Sequence, residues 1–309
     1  MDLMRRRHLQ QLSCLGLTCM LSPLNFAASP NTGHLTHQLG KTRERLNPIG
    51  MGTWITFNVG RSKRLIDQRS QVLQTFFDAG GQVIDSSPMY GSAEQVLGET
   101  FKLTSPPARL FTATKTWTSS AAEGKTQFTD SLKLWQQPNI DLLQIHNLVA
   151  WQTHLPMLRE LKQQNLIRYI GITTSHGRRH SELLSIIESH DIDDFVQLTY
   201  NIRDREVEQR LLPAALERGI AVIANRPLDG GRLMKDFQRA SLPAWAKELG
   251  INNWAQYFLR FIISHPAITL AIPATSQIAH MKENMGAANT SPLPNSRQRA
   301  EMIKYLKQV

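Results

Sequence analysis

The chain has 309 residues, of which 41% are hydrophobic and 19% are charged, so it can bury the core of one large domain. This composition excludes a disordered or fibrous protein. The net charge is +10 at pH 7, but the basic residues are scattered and no nucleic-acid-binding motif is present. Such a scattered surplus favours small anionic ligands, or simply solubility, over binding to nucleic acid.

The first 28 residues have the three-part layout of a secretory signal peptide. Arginines occupy positions 5–7, a weakly apolar stretch follows at 12–21, and small residues end the segment at Ala27 and Ala28. The apolar stretch is too short to form a stable membrane span. Residues 6–9, RRHL, resemble a degenerate twin-arginine export motif. We expect a signal peptide at 1–28, a linker at 29–45 and a periplasmic protein; the alternative is a cytoplasmic protein with a basic leader.

After residue 45, short apolar runs alternate with longer helical patterns. Eight runs predict strands: IGMGT (49–53), QVIDS (82–86), LFTATK (110–115), DLLQIH (141–146), YIGIT (169–173), FVQLTY (195–200), IAVIAN (220–225) and ITLAIP (268–273). Their nearly continuous apolar composition is typical of parallel strands covered on both faces. Eight such units over about 250 residues predict a (β/α)8 TIM barrel at 46–309, with a last basic helix packed outside it. A doubly wound sheet is the alternative, but MGTW lacks its glycine-rich turn.

Four chemically versatile side chains stand at the predicted carboxyl ends of adjacent strands. Asp85, Lys115 and His146 end strands two, three and four, and Tyr90 follows on the loop after strand two. In a barrel these positions meet at one mouth. An ammonium such as that of Lys115 lowers the pKa of a nearby phenol, which is ordinarily near 10. Such a site can protonate a carbonyl oxygen, but it needs a hydride that no side chain supplies, so a nicotinamide cofactor is implied.

The pattern D-x-x-x-x-Y at 85–90, the lysine of TATKTW and the histidine of LLQIHN closely resemble those of the aldo-keto reductases. The resemblance covers roughly residues 46–288, and the motifs fall on matching strands in the same order. It implies a barrel that uses NADPH, or alternatively NADH, to reduce aldehydes or ketones to alcohols. By position, Tyr90 would be the general acid, Asp85 and Lys115 would tune it, and His146 would orient the carbonyl.

The resemblance also implies a set of cofactor contacts at the strand ends. These are Gly52, Thr53, Thr173, Thr174, Gln197, Asn225, Arg226, Pro227, Leu228, Ile272, Ala274, Thr275, Ser276, His280, Glu283 and Asn284. Phosphates favour a helix N-terminus, here expected near Thr275 and Ser276. Ala274 and His280 replace the Lys and Arg that grip the 2′-phosphate in many members, and the stretch Asn225-Arg226-Pro227-Leu228 lacks the tyrosine that often stacks on nicotinamide. The chain is therefore expected to belong to a divergent, exported bacterial subgroup.

Large apolar side chains at the predicted mouth suggest the substrate. Trp54, Met89, Trp117 and Trp151 would suit an apolar or aromatic carbonyl compound, although Trp151 could equally cap the barrel core. His176 and His180 lie four residues apart, but no third ligand is evident, so we expect no metal site. We expect a monomer. A catalytically weak sensor or scaffold protein that keeps the fold and the cofactor is the alternative to an active reductase.

Overall fold

The computed structural model describes residues 35–189, 191–192 and 194–309. The predicted signal peptide and residues 29–34 of the predicted linker lie outside this part of the chain. The described part begins with a short antiparallel hairpin of β1 (His37–Gln38) and β2 (Arg45–Leu46). The strands that follow are β3 (Met51–Gly52), β4 (Val83–Asp85), β5 (Phe111–Thr116), β6 (Ile140–Ile145), β7 (Ile167–Thr173), β8 (Phe195–Thr199), β9 (Ala221–Asn225) and β10 (Leu270–Ala271).

Helices alternate with these strands and cover the outside of the sheet. They are α1 (Lys63–Asp78), α2 (Ala93–Phe101), α3 (Ala121–Trp135), α4 (Trp151–Gln163), α5 (His180–Glu188), α6 (Leu211–Arg218), α7 (Arg232–Phe237), α8 (Trp254–Ile263), α9 (Ile278–Met285) and α10 (Ser296–Tyr305). Gly219 ends α6 in the left-handed conformation at φ 62°, which is the residue type and position typical of a helix C-terminus.

The sheet closes into a barrel. Strands β3 to β10 are all parallel, and each is hydrogen-bonded to the next one in sequence. Closure comes from Ile49, which bridges to Ala271 of β10, and from the Gly50 N–H, which donates to the Ala271 carbonyl at 2.8 Å. The predicted (β/α)8 barrel and its eight strands are confirmed, and the doubly wound alternative is excluded.

The hairpin lies within residues 35–46, which include the described part of the predicted linker at 29–45. Within residues 35–46, Leu39 and Leu46 are buried against apolar side chains at the starts of the barrel strands, such as Val83 and Phe111. Nδ1 of His37 lies 3.1 Å from the carbonyl oxygens of residues 268 and 269. This segment therefore closes the amino-terminal end of the barrel, opposite the strand ends that carry the predicted site.

The C-terminal helix packs outside the barrel, as predicted. All ten residues of α8 are buried, as expected for a helix covered on every side. The Tyr257 hydroxyl on α8 donates to the Met302 carbonyl of α10 at 3.0 Å, and Arg299 of α10 donates to the Ser264 hydroxyl at 3.1 Å. Among the described residues, no helix is both long enough and apolar enough to cross a membrane.

Candidate active site

A buried ion pair forms the base of the site. Asp85 ends β4 and Lys115 lies near the end of β5, where side chains alternate between the barrel interior and the helices. Lys115 Nζ donates to Asp85 Oδ1 at 2.6 Å and to the Ser86 carbonyl at 2.7 Å, and both side chains are almost fully buried. Burial lowers the pKa of Lys115, but the charges of Asp85 and Tyr90 and the hydrogen bonds to them together more than offset this, so the net pKa is raised and the ammonium stays charged.

Tyr90 lies above this pair on the loop after β4. The loop turns tightly, since the Tyr90 N–H donates to the Ser87 carbonyl at 2.9 Å. The Lys115 ammonium lies 5.2 Å from the centroid of the Tyr90 ring, and the ring packs edge-on against His146 with centroids 5.9 Å apart. Burial raises the pKa of Tyr90, and the charge of Lys115 lowers it by less, so the net pKa is raised. The expected lowering by Lys115 exists, but burial outweighs it.

His146 directly follows β6 and is buried. Its Nδ1 lies 3.1 Å from the Ser87 hydroxyl oxygen, which itself accepts from the Met89 N–H at 3.3 Å. Burial, and then the charge of Lys115, lowers the pKa of His146 to about 3, so the ring is neutral at physiological pH. Either group can be the donor in this contact; the tautomer in which the Ser87 hydroxyl donates to Nδ1 places the ring proton on Nε2 and makes Nε2 a donor. No sequence motif singles out Ser87 for this contact.

A network of buried amides supports Asp85 from behind. Gln144 of β6 and Gln197 of β8 both donate to Asp85 Oδ2, at 2.9 and 3.1 Å, and Gln197 Nε2 also lies 3.1 Å from Gln144 Oε1. Asn225 of β9 donates to Gln197 Oε1 at 3.4 Å. Gln197 and Asn225 were predicted cofactor contacts, whereas Gln144 was missed because a neutral glutamine within an apolar strand forms no recognisable motif.

Two threonines at the end of β7 differ in the hydrogen bonding of their hydroxyl groups. The Thr173 hydroxyl accepts the Asn147 N–H at 3.0 Å and so anchors the loop that follows His146. That loop contains three non-glycine residues in the left-handed region, at φ 53°, 56° and 46° for Asn147, Leu148 and Ala150. The buried Thr174 hydroxyl has no hydrogen-bond partner within the described part of the chain. It lies next to the amide network, because the Thr174 N–H donates to the Gln197 carbonyl at 2.8 Å.

The predicted contacts after β9 lie around a sharp turn. The Asn225 amide donates to the Thr174 carbonyl at 2.9 Å and accepts from the Thr199 hydroxyl at 2.7 Å. Arg226 adopts a left-handed conformation at φ 49°, and its guanidinium lies 3.8 Å from the Asp229 carboxylate. Pro227 and Leu228 follow in the same turn, and Leu228 packs against the core.

The predicted phosphate segment leads from β10 into α9. The helix begins at Ile278, slightly later than expected, and the Thr275 hydroxyl accepts the Gln277 N–H at 3.1 Å. Gly52 approaches this segment so closely that a Cβ there would lie 3.0 Å from the Ile272 carbonyl oxygen. The other predicted residues of this segment differ in burial: Ala274 and His280 are exposed, Ser276 and Glu283 are half-buried, and Asn284 is buried.

Thr53, at the tip of β3, is fully buried; its hydroxyl donates toward the Asp85 carbonyl at 3.0 Å and lies 2.8 Å from the Ser86 hydroxyl. Its side chain therefore packs against the end of β4, next to the residue that carries the carboxylate of the ion pair.

The predicted substrate residues separate into two groups. Trp54, Met89 and Trp117 are 45%, 38% and 45% exposed, on the loops after β3, β4 and β5. Trp151, the first residue of α4, instead packs partly against the core. His180 lies 3.3 Å from the Glu206 carboxylate, and no cluster of three potential metal ligands occurs among the residues that the structure describes.

Comparison with known proteins identifies the fold and the family. The family model described as the aldo/keto reductase family matches residues 48–304. The chain is 26% identical to methylglyoxal reductase YeaE of Escherichia coli K12, over 77% of this chain and 84% of that protein. It is 27% identical to the NADH-specific methylglyoxal reductase of the same strain, over 68% and 72%. A Klebsiella pneumoniae aldo/keto reductase, solved with NADP and acetate, superposes with a TM-score of 0.73 at 24% identity, over 88% of this chain and 95% of that one.

The family model covers most of the chain, and the barrel agrees with it in architecture. The chain therefore belongs to the aldo/keto reductase family, whose members are NAD(P)-dependent oxidoreductases.

Proposed function

We propose that this protein reduces an aldehyde or ketone to an alcohol with NADPH or NADH, and that Tyr90 is the general acid. The observation that carries the proposal is the fully buried Asp85–Lys115 pair, with Nζ to Oδ1 at 2.6 Å, directly beneath the Tyr90 ring. Desolvating a charged pair is costly even when its partners are good, so a buried pair at this position is better explained by a task in the chemistry than by stability. Placing a cation under a phenol that must become a phenolate is such a task.

Tyr90 carries its proton at neutral pH, as any phenol with a pKa of 10 or higher does, so the proton is present for transfer to a substrate oxygen. Burial raises this pKa and weakens the acid, so the transfer depends on stabilisation of the phenolate. The Lys115 ammonium then stabilises the phenolate that remains, and Asp85 holds that ammonium in position. The neutral His146, donating from Nε2, orients the same oxygen without adding a competing proton equilibrium near neutral pH.

The residues at the strand ends fit a nicotinamide cofactor, which supplies the hydride when bound. The Thr174 hydroxyl, which is buried and has no partner among the residues that the structure describes, lies beside the amides of Gln197 and Asn225 and suits the carboxamide of the cofactor. Thr275 with Ser276 precedes the start of α9, where phosphate groups are favoured. Arg226 and His280 supply positive or polar groups in place of the usual 2′-phosphate residues.

The substrate class follows from the mouth of the barrel. Trp54, Met89 and Trp117 offer exposed apolar surface around the Tyr90 loop, which favours an apolar or aromatic carbonyl compound. Two relatives are named methylglyoxal reductases, so methylglyoxal belongs in any substrate panel beside an aromatic aldehyde such as benzaldehyde.

Cofactor titration followed by turnover tests the proposal. Quenching of tryptophan fluorescence should report saturable binding of NADPH, NADH or both, and the panel should show carbonyl-dependent loss of absorbance at 340 nm. Thr174→Val should weaken binding by about 2–10-fold, the value of one hydrogen bond. Thr100→Val, at a buried threonine in α2, is the matched control and should leave the affinity unchanged. Binding without turnover on any carbonyl would support the sensor alternative, and folded protein that binds neither nucleotide would contradict the proposal.

We also propose export by a twin-arginine-type route, on the strength of RRHL at 6–9 and the apolar stretch after it. This route carries folded proteins, so the barrel would cross with its cofactor bound. Fractionation of cells that express the full chain should find it in the periplasm, and an Arg6→Lys, Arg7→Lys double variant should stay in the cytoplasm. A full-length wild-type protein confined to the cytoplasm would contradict the proposal.

A further inference from the structure

Gln144 lies in β6, two residues before His146, and its side chain is fully buried inside the barrel. Its Nε2 donates to Asp85 Oδ2 at 2.9 Å, and its Oε1 accepts from Gln197 Nε2 at 3.1 Å. Gln197 Nε2 also donates to Asp85 Oδ2, at 3.1 Å. Side chains from three strands thus form a closed triangle of hydrogen bonds directly behind the ion pair.

Chemistry fixes the direction of these bonds. An ionised carboxylate only accepts, so both glutamines must turn their NH2 groups toward Asp85. The two carboxylate oxygens are therefore divided: Oδ1 receives the Lys115 ammonium, and Oδ2 receives the two amides. Both N–H groups of Gln197 Nε2 are already used, since they donate to Asp85 and to Gln144.

We propose that Gln144 is a positioning residue for the reaction: it keeps a donor on Oδ2 of Asp85, and so limits the pull of that carboxylate on the Lys115 ammonium, when Gln197 turns to bind the nicotinamide carboxamide. This inference rests on the proposed function. To donate to a ligand, Gln197 must release one of its two present acceptors. If it releases Asp85, Gln144 is the donor that remains on Oδ2.

Gln144 affects Tyr90 indirectly, through the charge of Lys115. Without a donor on Oδ2, the carboxylate charge of Asp85 acts more strongly on the ammonium, and less of the ammonium's charge is available to a phenolate at Tyr90. Among the described residues, two further titratable groups lie near Asp85, Lys115 and Tyr90. His146 packs against the Tyr90 ring and is neutral, and Glu94 of α2, behind β5, feels the charge of Lys115. The alkaline limb of the rate therefore belongs to the coupled pair of Tyr90 and Lys115.

The test compares pH profiles of kcat and kcat/KM between pH 5 and 10. Gln144→Met keeps the volume and removes the donor; we expect a fall in kcat of about tenfold, the loss of one hydrogen bond to a charged group, across this whole pH range, because the pKa values of Tyr90 and Lys115 are raised above it. Gln144→Glu can donate when protonated and repels Asp85 when ionised, so its activity should approach that of the parent at acidic pH and fall as pH rises. Gln256→Met, at a buried glutamine in α8, is the control and should leave the profile unmoved.

The outcomes separate the role of Gln144 from the proposed function. A Gln144→Met profile that matches the parent, or that moves no more than the Gln256→Met profile, overturns the role of Gln144. If Gln144→Met does not fold, Gln144→Glu decides, because a profile parallel to that of the parent leaves no role for a donor at this position. Tyr90→Phe is measured beside them: if it is as active as the parent, the proposed function itself fails, whatever Gln144 does.

Discussion

Replacing Lys115 with methionine removes one half of the buried ion pair and leaves Asp85 as an unpaired charge in the barrel. Removing one partner of a buried pair costs about 3–5 kcal/mol of folding free energy. Gln144 and Gln197 still donate to Oδ2 of Asp85 in the variant, so we place the loss at the lower end, about 3 kcal/mol. For a domain of this size, that corresponds to a fall in Tm of roughly 6–12 °C.

The stability that this pair contributes depends on pH, because it comes from the charges of Lys115 and Asp85. The pKa of Lys115 is raised above its ordinary value of 10.5, so its contribution is complete below that pH and is lost only as pH rises through the folded-state value. Calorimetry at pH 7 therefore measures the whole effect. The Asp85→Asn, Lys115→Met double variant removes both charges and should recover at least about half of the loss, since no buried charge is then left unpaired. A single variant as stable as the parent, or a double variant less stable than the single one, would refute the reasoning.

Three further predictions concern single groups. Arg260 of α8 is fully buried and donates to the carbonyls of residues 287, 291 and 292, so Arg260→Met should lower Tm in calorimetry through the loss of about 3 kcal/mol or more; an unchanged Tm would contradict this. Burial holds the pKa of Glu94 above its usual 4.5, so stability in urea should fall as pH rises from 4.5 through the folded-state pKa, and Glu94→Gln should flatten that fall. Because burial and the charge of Lys115 lower the pKa of His146 to about 3, its ring proton signal in NMR should not titrate between pH 5 and 8; an inflection near 6.5 would show a charged ring.

Much of the barrel could be predicted because its strands are buried on both faces. Runs such as IAVIA at 220–224 stay apolar over their length, and this pattern does not depend on distant parts of the chain. The hairpin at β1 and β2 was missed for the opposite reason. Its strands are two residues long, most of its side chains are polar, and only Leu39 and Leu46 face the core. Such a segment has no local signal and is held by tertiary contacts alone.

The features of the site that depend on strand ends could be predicted from the sequence. Those that depend on how deeply a side chain is buried could not. Asp85, Lys115 and His146 could be placed together because parallel strands present their carboxyl ends at one mouth. The direction of the Tyr90 pKa shift could not be inferred, because it depends on how much burial opposes the charge of Lys115. Gln144 was also beyond sequence reasoning, since only the register of β6 against its neighbours directs its amide at Asp85.

The central claim is that Tyr90 delivers the proton that completes carbonyl reduction. The most direct test is a single-turnover measurement of NADPH oxidation at 340 nm, in Tyr90→Phe and parent protein, with cofactor affinity measured in the same samples. We predict unchanged affinity and a rate lower by about 10²–10⁴-fold, the usual contribution of a positioned general acid. A Tyr90→Phe protein that binds the cofactor and reduces the substrate at the parent rate would contradict the account.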